Sequence, residues 1–475
     1  MNLKKLYASE YMVKKDRIIG DIPSSRRAYG DIMNMAIPSI AEYVLSSLIN
    51  SVDTMMVSTL GTTAVAAVGL VGQPRMLILC FFFAINVGIT AIVARRKGEE
   101  RQEDANRTLR NSILLVLALC AVLMVISLPL AYPLMRLAGA EADTIDDAVI
   151  YFKILTYFTP FNALTMAINS AQRGSGNTRI TLYCNMAANL VNVFFNYLLI
   201  GGNLGCPKMG VTGAALATGI GLVVGFLMAF GALIRGNIKN EFLQISFRIS
   251  QWKPHIPTLK GVVTIGSNAM IEQVANRIGF FTYAAIVARL GTNSFAAHQI
   301  CMQFLNLSFN FATGVGVAGT SLIGQMLGKK RPDLSEMYGN CTQRIALLMS
   351  AGLALCMIVF REPLVNLFIH DVDANAPEVR MIAMQVMLVV ALIQPFQMSS
   401  VIYAGCLRGA GDNKYVALVM TICVACMRPI LALGAVYVFH LGIIGAWMSS
   451  LIDMIVRLTL TARRFNSDKW QKIRV

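Results

Sequence analysis

Residues 38–67, PSIAEYVLSSLINSVDTMMVSTLGTTAVAA, decide the fold, because residues 268–297, NAMIEQVANRIGFFTYAAIVARLGTNSFAA, repeat their pattern. With a shift of about 230, Glu42 falls over Glu272, Leu60-Gly61-Thr62 over Leu290-Gly291-Thr292, and Ala66-Ala67 over Ala296-Ala297. Thr90 and Gly98 then fall over Thr320 and Gly328. Two more stretches follow collinearly. At about 235, Pro160-Phe161 pairs with Pro395-Phe396, and Arg173-Gly174-Ser175-Gly176-Asn177 pairs with Arg408-Gly409-Ala410-Gly411-Asp412. At about 232, Gly210-Val211-Thr212-Gly213-Ala214 pairs with Gly442-Ile443-Ile444-Gly445-Ala446. Self-similarity of this kind marks one structural unit present twice.

The unit is a membrane unit. The 475 residues are 56% hydrophobic and only 14% charged, against about 25% charged in a soluble domain, and the mean hydropathy is +0.60. Apolar runs long enough to cross a bilayer recur twelve times, for example at 113–134, 213–234, 345–360 and 381–392 with their flanks. They are too long for barrel strands, so helices satisfy the backbone in lipid. The expected fold is all-α, with twelve transmembrane helices in two six-helix lobes. An even number of spans per copy sends both copies into the membrane in one direction, which relates them by a pseudo-twofold along the membrane normal. The expected bounds are a tail at 1–30, a first lobe at 31–234, a linker at 235–260, a second lobe at 261–462 and a tail at 463–475. Two such lobes facing each other would leave a central cleft suited to alternating access.

Charge reports topology. The formal net charge is +16, which could suggest nucleic acid. Most Lys and Arg, however, fall before residue 31, in 95–110, 173–179, 235–260, 329–344 and 408–414, and after Thr461. Those segments share one side of the membrane if the amino terminus is cytoplasmic, as the positive-inside bias requires. Both termini are therefore expected in the cytosol, with no nucleic-acid partner and no cleaved signal peptide ahead of the polar, basic first thirty residues. Most of the ten cysteines lie in or beside apolar spans. Cys423 and Cys426 form a C-x-x-C inside one, where small apolar packing is the plain reading.

Ionisable residues inside spans are the candidates for chemistry: Glu42 and Asp53 in span 1, Glu272 and Arg277 in span 7, Arg428 in span 11, Asp453 and Arg457 in span 12. Each costs about 2.5–3.5 kcal/mol to insert, where a Leu returns only about 0.5. Such residues should face protein or water. Glu42 and Asp53 lie about three helical turns apart on one face, roughly 16 Å along the axis. Two readings stay open. Either the acids line a cavity and bind a coupling ion or a cationic substrate, or they pair statically with Arg277, Arg428 or Arg457. The duplication separates them: Glu42 and Glu272 are equivalent, whereas Asp53 falls over Tyr283, so one acid is unique to the first repeat. Asn189, Asn192 and Asn196 of span 5 place amide oxygens nearby in sequence logic, although intramembrane asparagines also hold helices together.

Other chemistries find no support. The R-G-x-G turns lack the Lys-Ser/Thr and the strand-to-helix setting of a phosphate loop. His255, His298, His370 and His440 are scattered, and neither a zinc motif nor a nucleophile elbow is present. No enzyme activity and no cofactor are expected; without a nucleotide site, an ion gradient must supply the energy.

Pro38 through Asp53-Thr54 to Leu60-Gly61, the Arg-Gly-x-Gly turns, Gly213-Ala214-Ala215-Leu216-Ala217-Thr218, and Leu441-Gly442 to Trp447 resemble the multidrug and toxic compound extrusion (MATE) family over all twelve spans. The resemblance implies a bacterial inner-membrane exporter of cationic or amphiphilic drugs, coupled to H⁺ or Na⁺ and acting as a monomer. It implies ion coupling at Asp53 with Asn192 and Thr218, and places Asn196 where some members carry a second aspartate, a departure that removes one carboxylate from a full sodium site. Gln397 stands where one branch has a span 10 aspartate, and Glu272 lies about one turn from that branch's span 7 glutamate. Glu42, Glu272, Tyr283, Gln397 and Arg428 are the substrate-cavity candidates, and Pro38 marks where span 1 could bend. The competing readings are a lipid-linked glycan flippase of the same superfamily, disfavoured by the span 1 acids and only twelve spans, and a channel.

Overall fold

The computed structural model describes residues 7–13, 15–239, 241–245, 248–369, 375–467 and 469–473. His370 and parts of the expected tails and linker lie outside the described residues. Twelve long helices account for nearly all of the rest: α1 Ser25–Ser58, α2 Thr62–Gly98, α3 Gln102–Ser127, α4 Ile145–Gly174, α5 Thr178–Gly201, α6 Gly210–Lys239, α7 Ile256–Ala288, α8 Thr292–Gly328, α9 Pro332–Val359, α10 Ala376–Ala410, α11 Asn413–Val438 and α12 Gly442–Phe465. Short helices Ala131–Leu137 and Arg361–Asn366 stand at equivalent places, before α4 and before α10. Ten of the long helices are apolar and long enough to cross a membrane. The other two, α4 and α7, are 30 and 33 residues long. The chain is a multi-pass membrane protein.

The duplication is visible in local geometry. Gly61 and Gly291 open α2 and α8 with φ of 107° and 104°, a backbone region that only glycine enters freely. The two R-G-x-G segments end α4 and α10, with Gly176 and Gly411 at φ of 91° and 93°. The next amides turn back to helix carbonyls, Asn177 N to Gln172 O at 2.8 Å and Asp412 N to Leu407 O at 2.9 Å. These turns are helix C-caps, as their glycine spacing demands. Thr90 Oγ1 donates to Ser170 O at 3.1 Å, and its equivalent Thr320 donates to Gly405 O at 2.8 Å.

The helices fall into two compact units, Ala41–Ser267 and Met1–Ile40 with Asn268–Val475. Each unit thus holds five whole helices of its own repeat, the trailing part of that repeat's first helix, and the leading part of the other repeat's first helix. The unit boundaries fall inside α1 and α7, not in a loop.

Helix α11 is irregular. Two π-helical stretches, Thr421–Met427 and Gly434–Val438, flank Arg428–Leu433. Pro429 has no amide hydrogen to give to the preceding turn, so the hydrogen-bond ladder slips and the helix widens there. Cys423 is buried and Cys426 exposed, both as free thiols.

Candidate functional site

In the Ala41–Ser267 unit, α1 and α5 run side by side in one register, with each α5 partner the same 143 positions beyond its α1 residue. Asn185 Nδ2 donates to Glu42 Oε1 at 2.6 Å, Asn189 Nδ2 to Ser46 Oγ at 3.2 Å, and Asn196 Nδ2 to Asp53 Oδ1. Apolar α1 and α5 thus meet along a polar seam. Without solvent, each of these groups would cost several kcal/mol if left unpaired, and that cost fixes the register.

The Asp53 end of the seam gathers the four residues expected to couple ions. Asp53 is half-buried and held by Asn196, which is fully buried. Asn196 Nδ2 also lies 3.5 Å from Asn192 Oδ1, and Asn192 Nδ2 donates to Thr218 Oγ1 at 3.1 Å. Thr218 reaches this line because α6 packs tightly on α5: a Cβ at Gly221 would meet Ala188 O at 2.6 Å and Asn192 Cβ at 3.1 Å. The Asn196 Oδ1 atom is buried without a hydrogen-bond partner. A carboxylate, an orphaned amide oxygen, a second amide and a hydroxyl therefore converge, a donor set of hard oxygens that suits a proton or a small cation.

Two residues that sequence reasoning passed over stand beside this region: Arg75 of α2 is near enough to Asp53, and Tyr151 of α4 near enough to Thr218, to interact with them. Arg75 is a lone base inside a span, so the criterion that singled out Asp53 and Arg428 applies to it equally. Tyr151 carried no such signal.

The Glu42 end of the seam is a clamp. Glu42, 4% exposed, accepts from Arg173 Nη2, from Thr181 Oγ1 at 2.8 Å and from Asn185 at 2.6 Å. The Arg173 guanidinium also lies over the Tyr43 ring at 5.6 Å. The other unit builds the same pair from the equivalent residues, Arg408 Nη2 donating to Glu272 Oε1. Neither glutamate pairs with the span arginines considered from sequence. Their partners are the arginines of the two C-cap turns.

Asp453, Arg428, Arg457 and Tyr283 lie together in the Asn268–Val475 unit, apart from Gln397 and Arg277. Asp453 Oδ2 accepts from Arg428 Nε at 2.9 Å and Nη2 at 2.6 Å, and from Arg457 Nη2 at 2.5 Å. Asp453 is fully buried and Arg428 is 1% exposed. The Arg428 guanidinium lies 5.0 Å from the Phe280 ring and 5.9 Å from Tyr283. Tyr283 is buried against the His298 ring, 5.6 Å away, with its hydroxyl left without a hydrogen-bond partner. Gln397 is buried on α10, with Nε2 3.5 Å from Leu305 O. The static pairing weighed for Asp453 is thus present, with both arginines. Arg277 is exposed.

Duplicated six-helix units in a lipid-spanning chain, with a carboxylate-centred polar network in one of them, define a multi-pass membrane transporter. The chain belongs to the MatE family, the multidrug and toxic compound extrusion transporters: the family profile matches residues 38–198 and 269–433. It is 27% identical over 455 residues to a probable multidrug resistance protein NorM of Thermotoga maritima, covering 95% of this chain and 94% of that protein. It is 25% identical over 384 residues to the multidrug resistance protein MdtK of Yersinia enterocolitica, covering 81% and 82%. The fold matches the outward-facing structure of a MATE family transporter of the MOP superfamily, with a TM-score of 0.85, 21% identity, and coverage of 92% of this chain and 96% of that one.

Proposed function

We propose that this protein is a secondary active multidrug efflux antiporter of the bacterial inner membrane, with both termini in the cytosol, exporting cationic or amphiphilic drugs in exchange for H⁺ or Na⁺. The observation that carries this reading is the line Asp53–Asn196–Asn192–Thr218, with its orphaned amide oxygen. Burial disfavours the charged form of any carboxylate. A carboxylate in such a place therefore takes up a proton or a cation from the outside and releases it when the site opens inward. Drug and ion bind in exclusion of each other, and alternating access converts the ion gradient into export. No step needs a second copy of the chain. With asparagine at 196, the site holds one carboxylate beside neutral oxygens, a set sufficient for a proton and less charged than a two-carboxylate sodium site.

The test is efflux of ethidium or a fluoroquinolone from loaded cells, with sodium present or absent and with the proton gradient collapsed, for the parent and for Asp53→Asn. Export that needs one of the two gradients and fails in Asp53→Asn is the expected result. Full export by Asp53→Asn in proton-loaded vesicles would end the proposal.

A further inference from the structure

The exchange of leading helix halves between the units is built symmetrically. In the Asn268–Val475 unit, Ala28, Ile32 and Ala36 of α1 are fully buried in one core with Ala312 and Val315 of α8. A Cβ at Gly314 would meet Ile40 Cα at 2.7 Å, so α8 and α1 touch backbone to backbone. The segment ahead of α1 is strapped to the start of α9: Ile19 N donates to Asp333 Oδ2 at 3.2 Å, Arg17 Nη1 to Glu336 Oε2 at 3.4 Å, and Asn340 Nδ2 to Met12 O at 2.8 Å.

The leading half of α7 is held in the same manner in the Ala41–Ser267 unit. A Cβ at Gly88 of α2 would meet Val262 O at 2.7 Å. The segment ahead of α7 is strapped to α3, where Gln244 N donates to Asn106 Oδ1 at 2.9 Å and His255 N to Asn111 Oδ1 at 2.7 Å. Residues 106 and 336 correspond under the repeat shift, so the two straps grip equivalent turns.

Both helices then continue without a break into the other unit, and just past each crossing stands a glutamate–arginine clamp. The crossing in α1 lies between Ile40 and Ala41, with Glu42 next; in α7 it lies between Ser267 and Asn268, with Glu272 one turn on. We propose that Glu42–Arg173 and Glu272–Arg408 are hinge pins: positioning residues that fix the trailing halves of α1 and α7 to their own repeat, so that movement between the units is confined to the few residues between strap and pin. The proposal rests on the transport reading for its purpose but not for its geometry.

The chemistry separates a pin from a coupling group. Glu42 is buried and saturated by a guanidinium, a hydroxyl and an amide on two different segments, the end of α4 and the start of α5. A carboxylate so engaged is not free to exchange its partner for a solvent ion. Asp53, three turns further along α1, has an amide as its direct partner. Without the pin, a bend entering α1 would pass beyond residue 42 and disturb the 46–189 and 53–196 pairings. The pin therefore keeps the register of the seam that carries the candidate ion site.

The test uses the full chain in membranes. Spin labels at Asn34→Cys and Leu48→Cys, both exposed positions on either side of the α1 crossing, stand about 21 Å apart along the helix axis; Cys206, Cys356 and Cys426 are changed to Ser to remove the accessible thiols. Glu42→Gln, which keeps the shape and loses the charge, is expected to broaden the distance distribution. It should also lower efflux velocity per transporter about tenfold, with the drug concentration for half-saturation and the ion dependence unmoved. The reversed pair Glu272→Arg with Arg408→Glu is expected to transport better than Glu272→Gln alone. A distribution as narrow as in the parent, or a shifted ion dependence, would overturn the proposal. Should Glu42→Gln fail to accumulate, Glu272→Gln with labels at Val263 and Ile278 gives the same two outcomes. Because the distances are read without drug or gradient, a parent that does not transport would sink the transport reading and still leave the pins tested.

Discussion

Where the first repeat holds Asp53, the second holds Tyr283; where α6 holds Gly221, α12 holds Asp453. The two repeats thus place their mid-span carboxylates on different helices and in opposite states. Asp53 is half-buried beside a neutral amide, with an unpartnered oxygen next to it. Asp453 is fully buried and takes three hydrogen bonds from two guanidinium groups. Two guanidinium groups bind Asp453 directly through Oδ2, its Oδ1 being buried without a partner, whereas the direct partner of Asp53 is a neutral amide and Arg75 acts on it only electrostatically. The same fold used twice therefore gives two differently held acids, and that difference is the reason ion exchange is proposed for the first repeat.

The largest effect expected from this contrast is on stability, at Asp453. Asp453→Leu leaves Arg428 and Arg457 buried without their carboxylate, and removing one partner of a buried pair costs about 3–5 kcal/mol. Thermal unfolding of the detergent-purified protein should show a collapse in melting temperature or a loss of folded material. Replacing all three members, with Arg428→Met, Asp453→Leu and Arg457→Met, should recover most of that loss, because the desolvation cost disappears with the charges. Recovery by the triple variant with unaltered ion dependence keeps the cluster structural. A triple variant that is stable yet has lost its ion requirement would move coupling into the second repeat.

Next in size is Asp53→Asn, the change at the acid of the first repeat. Gradient-driven drug efflux in vesicles should fall by about a hundredfold, the range of a site-to-site coupling energy, while the melting temperature stays near that of the parent, since asparagine can still bond with Asn196. An Asp53→Asn protein that melts far below the parent would show that this carboxylate, too, is structural.

What sequence could show of this contrast follows from what each signal depends on. The repeat was legible because it is written in backbone demands: Gly61 and Gly291, or Gly176 and Gly411, sit at positive φ where other residues are strained. The spans were legible because lipid imposes their length. Asp53, Asn192, Asn196 and Thr218 could be named because a polar residue in an apolar helix needs a reason. Their mutual contacts could not be read directly, since they depend on the register between helices, and a constant offset of 143 between α1 and α5 leaves no mark within either span. Arg173 and Arg408 were visible as repeat equivalents, yet they stand at span ends, where basic residues are expected on topological grounds alone. Their pairing with Glu42 and Glu272 needed the structure. The crossing of α1 and α7 between units was hidden for a similar reason: a continuous helix shows no boundary in its apolar pattern.

Packing between α5 and α6 gives a smaller test. Gly221→Ala puts a methyl group against Ala188 O and Asn192 Cβ, and overpacking of this kind costs typically about 1–3 kcal/mol. The two helices must part slightly, which lengthens Thr218 to Asn192. Melting temperature and efflux should fall together. At Gly434, where a Cβ would meet nothing within 4 Å, alanine should leave both unchanged. Equal effects at the two glycines would mean that close approach of α6 to α5 is not what brings the line together.

The smallest expected effect is also the one that separates the two repeats most cleanly. Thr218 and Ser450 are repeat equivalents, both on the last helix of their repeat, but only the Thr218 hydroxyl joins a polar line, through Asn192 toward Asp53, whereas the Tyr283 hydroxyl of the second repeat is buried without a partner. Thr218→Val keeps the volume and deletes the acceptor of the Asn192 amide, a loss of about 1 kcal/mol. Ser450→Ala deletes the equivalent buried hydroxyl of the second repeat. Both should lower the melting temperature by a few degrees. Only Thr218→Val should slow efflux several-fold, because only there does the lost bond belong to a line that ends on an exchangeable charge. Parallel losses of efflux in the two variants would show that the second repeat handles the ion as well, and the asymmetry between Asp53 and Tyr283 would then be one of chemistry without being one of role.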